Sequence, residues 1–225
     1  MCLLSHKIIK ASMAEGIQEG QLLLQDWLVI LISQFKKATM GKQGGDSLQK
    51  LQIARHVYAM LTSPLLASRV NPDRRVYTQH LYARLEPDYL VRALYPKLSS
   101  FTSFDKEEHE QLYLQRKAVE GLSSGALTDR IYLIDTLHEI LVLCTADESR
   151  TDIVFPPQMD CLLKQKIAEC KLGRPVAPIV SWMRFGVPEM AHFENHLIEE
   201  SDVSGIGYEN FVKYINDEVE QFLAG

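Results

Sequence analysis

Two histidines four residues apart, His192 and His196 in His-Phe-Glu-Asn-His, are the residues best placed by type and spacing to do chemistry. On a helix such a pair shares one face, so both imidazoles can reach one zinc ion, with Glu199 or Glu200 as a third ligand. The zinc-protease pattern instead requires a glutamate directly after the first histidine, and here that position is Phe193. Phe193 falls in line with Met190 and Leu197 on an apolar stripe, which leaves the histidines on a polar, solvent-facing side. The expectation is no metal. The run Gly41-Lys-Gln-Gly-Gly-Asp-Ser47 holds glycines near a lysine and a serine, but not in phosphate-loop order. It also joins two helices instead of following a buried strand, so it reads as an interhelical loop.

The remaining reactive types form no constellation. Cys2, Cys144, Cys161 and Cys170 make no C-x-x-C pair, which argues against zinc ribbons and thioredoxin chemistry. Cys144, Cys161 and Cys170 sit in apolar strand or helix surroundings, where cysteine serves as a small hydrophobe. The carboxylate pairs Glu107-Glu108 and Glu199-Glu200 lie in polar runs and read as solvated charges. Lys36-Lys37 and Arg74-Arg75 are too scattered for a nucleic-acid stripe, and no G-x-S-x-G occurs. No catalytic residue, cofactor or metal is expected, so the chain reads as a non-enzyme.

The elements that would position these residues fall into two blocks. Ile17, Gly20, Leu24, Trp27, Leu28, Leu31 and Phe35 form a helical stripe, ended by the breaker-rich segment 40–46, with Asp46 or Ser47 capping the next helix. Leu48, Leu51, Ala54, Val57, Tyr58 and Leu61 repeat the stripe until Pro64. Asn71-Pro72 is an N-cap with proline at the first helical position, and Val76, Tyr77, His80, Leu81 and Arg84 line that third helix. Glu86-Pro87 starts a short fourth helix that Pro96 must end. Beyond Lys97 the pattern changes. Residues 98–104 read as extended, and 105–116 as a surface loop or short helix. The runs Ile131–Asp135 and Glu139–Cys144 predict a hairpin of central strands. Pro156-Pro157 opens a helix striped by Met159, Leu162, Leu163, Ile167 and Cys170, and 177–185 reads as a further strand. Pro188 opens the helix of the histidine pair, Gly205 and Gly207 bracket a turn, and Tyr208, Phe211, Ile215, Val219 and Phe222 mark a last helix.

The chain therefore reads as α+β: an all-α helical bundle over 1–96, then an α+β domain with a mixed central sheet over 97–225. Its 225 residues are enough to bury a core without disulfide or metal staples. With 29 acidic against 24 basic residues, the net charge of −5 gives no global case for nucleic acid. The most apolar stretch, 22–32, is broken by Gln25 and Asp26 and falls far short of the roughly 18 apolar residues of a membrane span. No signal peptide is recognisable at 1–10, and the cysteine usage suits a reducing, intracellular compartment.

Ser63-Pro-Leu-Leu66, Asn71-Pro-Asp73 and Tyr77-Thr-Gln-His80 resemble the helical domain of the inner-coat subunits of the COPII vesicle coat, the Sec23/Sec24 family. Asp129-Arg-Ile-Tyr-Leu-Ile-Asp-Thr136 resembles the start of the gelsolin-like domain that follows it in that family. His192-Phe193, His196-Leu-Ile-Glu-Glu200 and Tyr208-Glu-Asn-Phe211 are similar to that domain's last two helices. The resemblance runs from about Leu4 to the end and implies the C-terminal third of a coat subunit. The blocks at 64–80 and 129–136 look closer to the GTPase-activating subunit, those at 94–98 and 196–200 to the cargo adaptor. In the former, the arginine completing the small GTPase's active site matches His192 here, and a neutral imidazole cannot replace its forked, permanent charge.

What the resemblance implies is a non-enzymatic component of endoplasmic reticulum to Golgi transport. Its partners would be the other inner-shell subunit and the coat's small GTPase, with outer-coat proteins possible. Its place would be cytoplasmic, peripheral at the endoplasmic reticulum membrane and COPII vesicles. The alternatives are a freestanding gelsolin-like module binding actin or acidic lipid, and a GTPase activator. Asp129 and Asp135 make no clustered calcium ligand set.

Overall fold

The computed structural model describes residues 2–39, 52–119, 130–146, 153–200 and 207–224. The chain divides into two compact units, Met1–Leu94 with Ser201–Gly225, and Tyr95–Glu200. The last helix, assigned above with the sheet, thus belongs to the helical unit. The segment 40–51, with its expected loop and cap, Asp129 and Gly205 lie outside the described residues.

The helical unit contains α1 (Cys2–Ala14), α2 (Ile17–Thr39), α3 (Gln52–Thr62), α4 (Pro72–Tyr82), α5 (Pro87–Leu94) and α8 (Tyr208–Ala224). Gly16, at φ 104, turns the chain from α1 into α2, a backbone conformation that glycine adopts without steric cost. One turn later Gly20 brings α2 close to α1: a Cβ there would stand 3.0 Å from Ser12 Cβ and 3.1 Å from Leu66 Cδ2. α2 buries Gly20, Leu24, Leu28 and Ile32, whereas Leu31 and Phe35 of the expected stripe are 37% and 48% exposed. A long helix this rich in leucine and isoleucine offers two adjacent stripes, and packing against α1 and α8 selects one of them.

α4 begins as expected, with Asn71 Oδ1 accepting from the Asp73 amide at 2.8 Å. Its buried face is not the expected one. Thr78, Gln79 and Tyr82 point inward and Val76 and Tyr77 are exposed, because Gln79 Nε2 donates to Ser12 Oγ of α1 at 3.3 Å. α8 closes the unit: Tyr208, Phe211, Ile215 and Val219 are buried, and Phe222 is half-exposed. Tyr58 of α3 meets the rings of Tyr208 and Phe211 at 5.5 and 5.3 Å, and the Arg55 guanidinium lies 4.7 Å from the Tyr208 ring.

The second unit holds a five-stranded sheet in the order β2-β1-β3-β4-β5, antiparallel except for the parallel pair β4–β5, together with α6 (Leu162–Lys171) and α7 (Met190–Glu194). The strands are β1 (Lys97–Ser103), β2 (Lys106–Leu112), β3 (Ile131–Asp135), β4 (Glu139–Cys144) and β5 (Ile179–Arg184). The mixed sheet and the central β3–β4 hairpin are as expected. The charged run at 105–116 is mostly a strand, not a loop or helix. Backbone pairing to β1 holds it at the sheet edge, where Lys-Glu-Glu-His-Glu-Gln needs no apolar face.

One sheet face carries Ile131 and Leu133 of β3 with Ile140, Val142 and Cys144 of β4, and packs on Leu163 and Ile167 of α6. α6 starts at Leu162, five residues after Pro157, and Met159 is 82% exposed instead of striped. Its first amides are held by tertiary partners: Leu162 N–H donates to Asp105 Oδ1 at 3.0 Å and Leu163 N–H to the Phe104 carbonyl at 2.9 Å.

Candidate functional site

Strand periodicity places Glu139, the first residue of β4, on the sheet face of Leu141 and Leu143, opposite the α6 side. Its backbone is fixed by Thr136: the Glu139 N–H donates to Thr136 Oγ1 at 2.9 Å, and the Thr136 N–H donates to the Glu139 carbonyl at 2.9 Å. α7 lies against β4, seated by Phe193 and, just beyond it, Leu197, which are 0% and 3% exposed. With these two side chains inward, His192 and His196 turn toward Glu139. His192 Nε2 stands 2.8 Å from Glu139 Oε2, and His196 Nε2 stands 3.6 Å from the same oxygen. The imidazoles meet edge to face, with centroids 5.4 Å apart. Burial lowers the pKa of His196, and the neighbouring His192 adds to this while Glu139 opposes it.

The apolar role expected of Phe193 is therefore observed, and so is the exposure of His192. His196 is only partly exposed, because it sits against Glu139. The carboxylate near the histidines is Glu139, not Glu199 or Glu200. Nothing in local spacing signals it: 53 residues separate it from His192, and its one mark is a charge heading an otherwise apolar run.

Glu199 departs from the solvated reading. It is 4% exposed, accepts from the Tyr95 hydroxyl and from Gln115 Nε2 at 2.6 Å, and its own amide donates to the Leu114 carbonyl at 3.0 Å. Glu200 accepts from the Arg116 amide, and Arg116 pairs through its side chain with Glu194. Glu107 pairs with Lys166 at 3.2 Å and Glu108 with Arg130. Cys144 and Cys161 are buried as expected, and Cys170 is partly so. Arg75 donates to the Ala67 carbonyl at 2.6 Å. A buried ion pair that spacing did not reveal joins Arg174 to Asp135, and Arg174 also donates to the Thr136 carbonyl at 2.6 Å.

Among the described residues, Glu139, His192 and His196 are the group of metal-ligating types whose donor atoms converge, all lying within 4.8 Å of one another. No described helix is long and apolar enough to cross a membrane.

The architecture is a helical unit completed by the last helix, with a mixed-sheet α+β unit inserted before that helix in the chain. The crystal structure of the human COPII-coat protein Sec24c shares this fold, with a TM-score of 0.70 over 99% of this chain and 30% of that one, at 16% identity. Residues 1–92 match the Sec23/Sec24 helical domain. The chain is also 36% identical to the protein transport protein SEC23 D of Arabidopsis thaliana over 240 residues, 96% of this chain and 31% of that protein. The chain belongs to the Sec23/Sec24 family, and it spans about a third of the length of the relatives it matches.

Proposed function

We propose that this chain is a non-enzymatic component of a COPII vesicle coat, acting through protein–protein contacts in transport from endoplasmic reticulum to Golgi. The observation that carries the reading is the 36% identity to a protein transport protein, which runs through the helical unit and the sheet unit alike. The mechanism is presentation of surfaces, helix faces in one unit and sheet edges in the other, of the kind that bind partner proteins. The partners are the other inner-shell subunit and the coat's small GTPase, and the location is peripheral, on the cytoplasmic side of the endoplasmic reticulum membrane. Affinity capture of the native protein, followed by mass spectrometry, tests this. Recovery of the GTPase and the second inner-shell subunit is expected, and absence of both overturns the reading.

The non-enzymatic part of the proposal rests on His192. Its imidazole is hydrogen-bonded to Glu139 and lacks the planar, permanently charged fork that stabilises a transferring phosphoryl group. The protein is therefore expected to leave GTP hydrolysis by the coat GTPase unchanged in single-turnover assays. Stimulation that His192→Ala abolishes would establish it as an activator instead.

A further inference from the structure

We propose that Glu139, His192 and His196 form a binding site for a divalent zinc ion, which bridges α7 and the turn that follows it to the first residue of β4. Two imidazoles and one carboxylate are the donor set of an open zinc centre, with a water or a partner's side chain completing the tetrahedron. A tetrahedral zinc ion with bonds of about 2.0–2.1 Å holds its ligand atoms roughly 3.3 Å apart. The two histidine nitrogens already stand 2.8 and 3.6 Å from one carboxylate oxygen, and all three donor atoms lie within 4.8 Å. Side-chain movements of about an ångström convert this arrangement into a coordination sphere.

The supporting shell is already built. Thr136 holds the Glu139 backbone on both sides, while Phe193 and Leu197 anchor the segment that bears the histidines. His192 is half-exposed, so an ion reaches the site without opening the core. Nitrogen donors outnumber oxygen here, which disfavours calcium and magnesium, both of which need mainly oxygen ligands. The site needs no residue from outside the sheet unit, so it stands or falls independently of the coat reading.

The test is titration of the 225-residue chain with zinc chloride against a chromophoric chelator, with histidine-ring NMR to identify the coordinating nitrogens. One equivalent of zinc is expected to bind, shifting the rings of His192 and His196. His192→Ala, His196→Ala and Glu139→Gln should each weaken binding by about tenfold or more, and His109→Ala, on the charged edge strand, should leave it unchanged. Circular dichroism without metal is the control for folding of each variant, and His192→Ala, at a half-exposed position, is expected to keep the native spectrum. Absence of one-to-one binding overturns the proposal, and so does binding that survives unchanged in the His192→Ala/His196→Ala double variant.

Discussion

Glu199 is a buried carboxylate with two side-chain donors, and its loss should be costly out of proportion to its size. Alanine there removes the acceptor of the Tyr95 hydroxyl and of the Gln115 amide in a water-poor site. A cost of about 2 kcal/mol is expected, with Glu199→Gln losing less, measured as a shift in the urea unfolding midpoint. Tyr82 carries a pH signature. Burial raises its pKa from the usual 10.0 to about 12, and its hydroxyl donates to the Ala93 carbonyl at 3.3 Å. The folded state thus holds the proton more tightly than the unfolded chain does. Its stabilising effect is complete below pH 10 and is lost as the pH rises from 10 towards 12. Unfolding free energies measured across that window should fall by about 2–3 kcal/mol more in the native protein than in Tyr82→Phe.

At the scale of elements, Gly20 is where two opposing effects can be weighed. A larger residue in α2 gains helix propensity, up to about 1 kcal/mol over glycine. Against this, its Cβ would sit 3.0 Å from Ser12 Cβ, an atom fixed to the neighbouring helix, and 3.1 Å from Leu66 Cδ2. Gly20→Val adds two stiff methyl groups to that contact, so overpacking wins. A net loss of about 1–3 kcal/mol is expected, seen as a lower denaturation midpoint with an unchanged slope. β2 shows the reverse case, an element with no apolar pattern. Its carboxylates are occupied by Lys97, Lys166 and Arg130, and the Lys97 hydrogen bond holds the Glu110 carboxyl below its ordinary value. Charges along an edge strand also discourage pairing with other chains.

The whole molecule depends on a chain path that leaves the helical unit, builds the sheet unit and returns. Tyr58 draws both of its described aromatic neighbours, Tyr208 and Phe211, from the returning helix. Deleting 201–225 should therefore unfold the helical unit cooperatively while the sheet unit keeps its own transition. Calorimetry and far-ultraviolet circular dichroism would register this as the loss of one transition and of most helical signal. Retention of both transitions would show that α8 is dispensable to the first unit.

Much of this was legible in the sequence, for a physical reason. Caps, prolines and short apolar runs act over a few residues, so Asn71-Pro72, the fourth helix ended by Pro96 and the β3–β4 hairpin could all be read directly. The expected separation into helices and a mixed sheet followed from the same local signals. What the tertiary structure alone decided are matters of distance along the chain. Periodicity permits two stripes on α2 and two faces on α4, and only the neighbours at Ser12 and along α8 select between them. A charged segment has no pattern of its own, so β2 became a strand through its pairing with β1. The histidine pair was visible, but its carboxylate was not, because Glu139 reaches His192 across 53 residues through the seating of α7 on β4. Spacing specifies which residues can share a face of one element; only packing specifies which faces meet.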